Sequence, residues 1–181
     1  TELREGSAES LRSLITVVSF NSYIFGGSVR STLLEGRPDA DESALQEVLR
    51  RVNLLDFVQS QGGLDMPLME RASNLSGGQR QRLAIARAIV RRPSIYLFDD
   101  SFSALDYRTD QELRRALKPV IQNAAVIIVA QRISTIKDAD QILVMNQGRI
   151  EAVGTHEELM QSSRTYQEIV ASQPTDKEVA S

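Results

Sequence analysis

At 181 residues, with 41% hydrophobic and 25% charged positions, the chain has the size and balance of one globular domain with a sizeable core. A net charge of -3 gives no support for nucleic-acid binding, and the absence of cysteine excludes a disulfide framework and thiol catalysis while agreeing with a reducing compartment. No apolar run approaches the roughly 18 residues that a membrane span needs.

Residues 14–19 read Leu-Ile-Thr-Val-Val-Ser, a continuous β-branched run that predicts a short buried strand. Phe20-Asn21-Ser22-Tyr23 and Gly26-Gly27-Ser28 follow as loop, and residues 38–41 form another. From Glu42 onward Leu45, Val48, Leu49, Val52, Leu55 and Val58 fall three and four apart, which predicts one helical stretch ended by Gln61-Gly62-Gly63. A further helix is predicted over residues 76–91, and Pro93 restarts the chain as an extended segment. Residues 95–98, 125–130 and 141–145 are three more predicted strands, with helices near 109–117 and 134–137 between them. Short apolar strands alternating with helices imply a parallel sheet covered on both faces. Asn146-Gln147-Gly148 signals a hairpin turn into residues 149–153. Residues 157–171 predict a terminal helix, and the polar tail from Gln173 is expected to fray.

The stretch with most chemical content is Leu75-Ser76-Gly77-Gly78-Gln79, which opens the helix bearing Arg80, Arg82 and Arg87. These arginines, at helical spacing, read as a solvated face, with Arg91-Arg92 closing the helix where cations suit its dipole. The next strand ends in Asp99 and Asp100. A Ser-Gly-Gly turn before a basic helix, then an apolar strand ending in carboxylates, suits a polyphosphate and its metal. Helix N-termini present unpaired N–H groups and a positive dipole end, and glycine lets the backbone approach an oxyanion closely. A lone Ser-Gly-Gly is usually just a turn; the ordered set is specific.

That order resembles the nucleotide-binding domain of an ATP-binding-cassette (ABC) ATPase, with residues 75–79 as its signature and residues 95–99 as its Walker B strand. The resemblance covers about residues 2–173 and is closest to the cassettes of ABC exporters. Phe25-Gly26-Gly27-Ser28-Val29-Arg30 looks like the exporter segment after the Q-loop that faces the coupling helices, and Met69-Glu70-Arg71-Ala72 like the exporter X-loop. Gly154-Thr155-His156-Glu157-Glu158-Leu159 looks like the exporter's closing turn. The implied fold is α/β, part of a RecA-like P-loop NTPase core with a mainly parallel sheet plus the ABC α-helical subdomain. It assigns residues 1–19 to the core before the Q-loop and 20–75 to the Q-loop and helical subdomain. Residues 76–172 then hold the signature helix, Walker B, D-loop and switch region, and 173–181 a flexible tail.

No segment reads G-x-x-x-x-G-K-[ST], the loop whose amides and lysine wrap the β- and γ-phosphates. Thr1 is not methionine, and Glu2-Leu3-Arg4 with residues 10–15 resembles the segment after that loop. The expectation is a fragment cut downstream of it, itself soluble, from a transporter at the cytoplasmic face of a membrane.

The resemblance implies ATP and Mg²⁺ as cofactors. Ser76, Gly77, Gly78 and Gln79 would bind the γ-phosphate of an ATP held mainly by a second cassette, and Ser103-Ala104-Leu105-Asp106 resembles the D-loop that crosses that interface. Asp106 could instead merely cap the next helix. Asp99 would hold Mg²⁺ directly or through water. Three positions depart from the family. Asp100 stands where a glutamate activates the attacking water, and a base set back by roughly an ångström can cost ~10²-fold. Gln131 replaces the switch histidine and cannot become an imidazolium, and Phe20 replaces the Q-loop glutamine. The one histidine, His156, reads as a surface or capping residue.

All three departures strike hydrolysis of the ATP bound in cis, while the signature and D-loop look intact. That asymmetry resembles the degenerate-site subunit of a heterodimeric exporter, paired with a second cassette and with a transmembrane domain. A regulatory pseudo-ATPase is the second reading. A soluble ABC protein of repair or translation is the third, although the long coiled-coil or basic insertions of those relatives do not occur in this sequence.

Overall fold

The computed structural model describes residues 7–173, which divide into two units between Val129 and Ala130. In the first unit, helix α1 (Ala8–Leu14), capped by the Ser7 hydroxyl, leads into strand β1 (Ile15–Ser19). Strand β2 (Gly27–Ser28) turns into α2 (Val29–Gly36), followed by α3 (Glu42–Arg51) and α4 (Leu55–Ser60). Strand β3 (Pro67–Leu68) pairs antiparallel with β2 and precedes α5 (Gly77–Arg91), β4 (Ile95–Asp99), α6 (Tyr107–Ile121) and β5 (Ala125–Val129).

The first unit's main sheet is parallel with order β1-β4-β5, and Val18, Phe98 and Ile128 stand in one register row. Thr16, Val18, Tyr96 and Phe98 turn to the buried side, where Leu83, Ile85 and Ile89 of α5 share their core. Burying each of the aliphatic and phenyl side chains contributes roughly 1.5–3 kcal/mol. α2 crosses α5 so closely that a Cβ on Gly36 would lie 2.3 Å from the Arg87 carbonyl oxygen, which restricts that position to glycine. The other face departs from the expected double covering: Val17, Ile127 and Val129 are 59%, 52% and 54% exposed. Asp99 falls on this open face, because strand alternation sets it with residues 95 and 97.

Two expected single helices are each broken. The stripe from Leu45 to Val58 is carried by α3 and α4, separated where Asn53 takes a left-handed φ of 55°. The terminal stretch divides into α8 (His156–Ser162) and α9 (Arg164–Ala171), because Ser163 leaves the helical region and caps α9 by accepting from Tyr166 N.

The second unit opens with α7 (Ile133–Ile136) and a hairpin of β6 (Ile142–Asn146) and β7 (Arg149–Gly154). β6 therefore pairs antiparallel with β7 and does not extend the parallel sheet as expected. Gln147 (φ 47°) and Gly148 (φ 76°) make its two-residue turn, both left-handed as a tight hairpin requires. Ile142, Val144, Leu159 and Tyr166 form this unit's own small core.

Candidate functional site

The N-terminus of α5 is built by its own side chains. The Ser76 hydroxyl accepts from Gln79 N at 3.1 Å, and Gln79 Oε1 accepts from Ser76 N at 2.9 Å, a reciprocal capping box. The cap uses only the Oε1 of Gln79, so Gln79 keeps its Nε2 donors and Ser76 its hydroxyl proton. Helix geometry leaves the Gly77 and Gly78 N–H groups without intrahelical partners. Neither glycine has a positive φ, and a Cβ on Gly77 would meet nothing within 4 Å. On Gly78 it would make ordinary contact with Leu105 Cδ2 at 3.5 Å. Packing among the described residues therefore does not demand glycine at either position.

Gly78 also places the two predicted interface motifs side by side, since its neighbours are Leu105 and the Ala104 carbonyl oxygen. Asp106 caps α6, accepting from Thr109 N at 2.9 Å and Thr109 Oγ1 at 2.6 Å. The Thr109 side-chain bond, then its backbone bond, hold the Asp106 carboxyl below the usual range. Arg82 donates to the Gly78 carbonyl at 3.4 Å and the Asn53 carbonyl at 2.8 Å. Its burial lowers the guanidinium pKa, opposed by the charge of Asp106.

The predicted carboxylates stand at the carboxyl edge of the parallel sheet, where open α/β sheets bind ligands. Ser19, Asp99 and Val129 share the last register row, and Phe20 N donates to the Asp99 carbonyl at 3.0 Å. Asp100 N donates to the Val129 carbonyl at 2.9 Å, with Asp100 itself left-handed at φ 50°. Phe20, Asp99 and Asp100 are thereby brought together. Among the described residues no cluster of three or more His, Cys, Asp or Glu side chains could cage a metal. An exposed Asp99 fits Mg²⁺ all the same, because that ion is held by one or two carboxylates together with phosphates and water.

Gln131 belongs to the second unit, with an exposed side chain and a carbonyl that accepts from Gln173 Nε2 at 2.6 Å. Gln173 Oε1 also accepts from Ile133 N at 2.8 Å, so the first residue of the expected frayed tail is tied down. Residues 174–181, like Glu2-Leu3-Arg4, lie outside the described residues. Thr155, not His156, caps α8, and His156 Nδ1 meets the Tyr166 hydroxyl at 2.8 Å.

Sequence reasoning missed the groups that fix the sheet edge. Gln81, buried, donates to the Ser19 carbonyl at 3.2 Å, and the buried Ser101 hydroxyl donates to the Val18 carbonyl. A signal was available, because Gln81 lies on the apolar stripe of α5 with Ile85 and Ala88. The arginines of α5 are tethers and not a solvated face. Arg80 donates to the Arg71 carbonyl, and Arg87 bonds Glu35 at 2.7 Å and the Tyr23 carbonyl at 3.0 Å.

A second surface gathers the predicted segments 25–30 and 69–72. Gly27 pairs with Leu68 across β2 and β3, and a Cβ on Gly26 would lie 3.6 Å from Glu70 N. Tyr23 and Phe25 meet edge to face at 4.8 Å, and with Met69 they are exposed. Arg71 and Ala72 are both left-handed, at φ 55° and 48°, a costly backbone for non-glycine residues.

The sequence profile of the ABC transporter family matches residues 1–103. An ABC transporter ATP-binding protein of Mycobacterium tuberculosis (strain ATCC 25618 / H37Rv) is 46% identical over 175 residues, covering 95% of this chain and 30% of that protein. A Rickettsia felis protein described as an export ATP-binding/permease protein is 36% identical over 166 residues, 91% of this chain and 29% of the relative. Among solved structures, a bacterial Atm1-family ABC exporter with ATP bound superposes with a TM-score of 0.91 at 34% identity, covering 96% of this chain and 31% of that one. The chain thus spans under a third of the length of these proteins. Among the described residues no helix is long and apolar enough to cross a membrane.

Proposed function

The chain belongs to the ABC transporter family, and on that premise we propose that it is the ATP-binding cassette of an exporter that completes an ATP site on a second, different cassette. The observation that carries this reading is the N-terminus of α5. Glycine forgoes the stabilisation of about 0.4–1 kcal/mol that alanine gives at a compatible backbone position, yet nothing among the described residues requires it at Gly77. Two glycine amides without a Cβ, a serine hydroxyl and a positive dipole end suit the outer face of a terminal phosphate held from the other side. Ala104 and Leu105 against Gly78 put the D-loop at the same edge, which suits a surface that meets another cassette.

In this reading Asp99 would hold Mg²⁺, which neutralises phosphate charge when bound. The chain's own half-site is slow, because Asp100, Phe20 and Gln131 replace the residues that place and deprotonate water. Residues 20–75, which contain α2 to α4, form the helical subdomain. The exposed Tyr23, Phe25 and Met69 face the coupling helices of a transmembrane domain, which holds the cassette at the cytoplasmic side of a membrane.

The test is a pair of variants in the assembled transporter. Gly78→Asp sets a carboxylate against the terminal phosphate, where like charges in a dry cleft cost several kcal/mol. Its Cβ makes only ordinary contact at 3.5 Å, so the fold is kept. ATP hydrolysis and transport are expected to fall nearly to background, although every group that binds the partner's ATP in cis is untouched. Asp100→Asn is expected to do much less. Equal losses, or the larger loss from Asp100→Asn, would show that this chain runs its own catalysis.

A further inference from the structure

At the amino end of β4, opposite the edge that carries Asp99, a cleft of about 500 Å³ opens between α3, the C-terminal end of α5 and the end of α6. Its volume lies within the range of small-molecule sites. The walls are apolar where Val48, Ile89, Val90, Pro119 and Val120 face it, and this is not the nucleotide edge. Its polar lining is rich in donors, the guanidinium groups of Arg37, Arg51 and Arg92 and the Tyr96 hydroxyl, with Ser94 and Asn123 able to donate or accept and the Glu47 carboxylate its one acid.

Two of these groups are committed. Arg51 bonds Glu47 at 2.7 Å and Arg37 bonds Asp39 at 3.2 Å, so those charges are balanced locally. The Arg92 side chain has no ion pair or hydrogen bond among the described residues. Its backbone is left-handed (φ 52°) where it closes α5, which sets the side chain at the cleft rather than along the helix. Tyr96 is only 2% exposed, and its hydroxyl likewise has no hydrogen-bond partner among the described residues. It is not sealed in, since the one fully enclosed unpartnered side-chain oxygen among those residues is Thr16 Oγ1. A tyrosine this deeply buried ordinarily satisfies its hydroxyl, and an unmet donor opening on a cleft beside a guanidinium without an ion-pair partner asks for an acceptor. Burial pushes the Tyr96 phenol up, so it stays a donor, and the nearby charge of Arg92 opposes that shift.

The geometry points to a binding site for a small amphipathic oxyanion, a phosphate or carboxylate head on a short apolar body, with Arg92 and Tyr96 on the head and Val48, Ile89 and Val120 against the body. This assignment stands independently of the ATP half-site, because cleft and Asp99 lie at opposite ends of one strand. A charge-assisted bond from Arg92 supplies most of the head-group selectivity, and the Tyr96 hydroxyl supplies direction.

The experiment labels the full chain with ¹³Cζ-tyrosine and titrates hexyl phosphate, hexanoate, inorganic phosphate and hexanol in turn, following the Tyr96 resonance. Hexyl phosphate and hexanoate are expected to shift it saturably, at concentrations well below those at which inorganic phosphate or hexanol does. Arg92→Asn removes the charge while keeping a residue that tolerates left-handed backbone, and is expected to weaken hexyl phosphate about tenfold by calorimetry. Tyr96→Phe, which deletes only an unpartnered hydroxyl, is expected to weaken it several-fold with the fold intact. Inorganic phosphate as potent as hexyl phosphate overturns the apolar body, and hexanol as potent overturns the oxyanion head. A silent Tyr96 resonance, or binding unchanged in Arg92→Asn, overturns the site.

Discussion

Asp106 shows that a side chain proposed for an interface can also have work in the fold. Its carboxylate satisfies Thr109 N and Thr109 Oγ1 at the start of α6, so the plain capping reading is fulfilled whatever else the residue does. Removing an N-cap carboxylate costs about 1 kcal/mol, so Asp106→Ala is expected to lose that much stability near neutral pH. The carboxyl is held below its ordinary value by the Thr109 bonds, so its contribution is full above the unfolded value and is lost as pH falls through the folded one. The gap between native chain and Asp106→Ala in urea denaturation should therefore narrow from about pH 7 toward about pH 3. A gap that stays constant or widens on acidification would mean that the carboxylate charge is not what caps α6. Asp100 makes a second residue-scale point. Its left-handed φ of 50° is a backbone that aspartate tolerates better than most side chains, which favours the shorter acid on conformational grounds alone.

Between residues and elements lies the question of what the sequence made legible. Strand β1, helix α5, strand β4 and the β6–β7 turn were all readable, because periodicity, a capping serine and an Asn-Gln-Gly turn act locally. The α3–α4 break was not, since the apolar stripe runs on in register across it and Asn53 carries no glycine or proline to announce the turn. Pairing was only half legible: the Asn-Gln-Gly turn announced the β6–β7 hairpin, but the apolar run of β6 suited the parallel sheet as well, and nothing local shows that it pairs with β7 alone. At the site, the motif order located the α5 N-terminus and the carboxylate edge. The carbonyl contacts of Gln81 and Ser101 join residues 62 and 83 positions apart, which no local pattern reveals. The Asn53 break is testable as an element. Its carbonyl anchors Arg82, so its left-handed turn fixes α3 and α4 relative to α5. Asn53→Gly keeps that turn and is expected to be near neutral, whereas Asn53→Val forces a β-branched residue into it at about 1–2 kcal/mol. Equal midpoints for the two variants in urea would mean that the left-handed turn is dispensable.

Across the whole molecule, apolar surface and chemistry are distributed unevenly. In the first unit the open face of the sheet carries Val17, Ile127 and Val129 beside Asp99, while the helices crowd the other face. In the second, Leu143 pairs with Val153 and Met145 with Ile150, and all four are exposed. These 181 residues carry an exposed carboxylate edge and a helix N-terminus, the two groups the proposed reading turns to a nucleotide, without a glycine-rich loop followed by lysine to wrap the inner phosphates. Contacts from one helix end reach a single phosphate and forgo the several charge-assisted bonds that make triphosphate binding tight. A polypeptide of this sequence by itself is expected to bind ATP only weakly, beyond the millimolar range at which ΔG is about -4 kcal/mol, and to release no phosphate above background. Calorimetric titration with Mg²⁺ and ATP measures the first and a phosphate-release assay the second. A micromolar dissociation constant with measurable turnover would mean that the chain carries a complete nucleotide site of its own, and the half-site reading of α5 would fall with it.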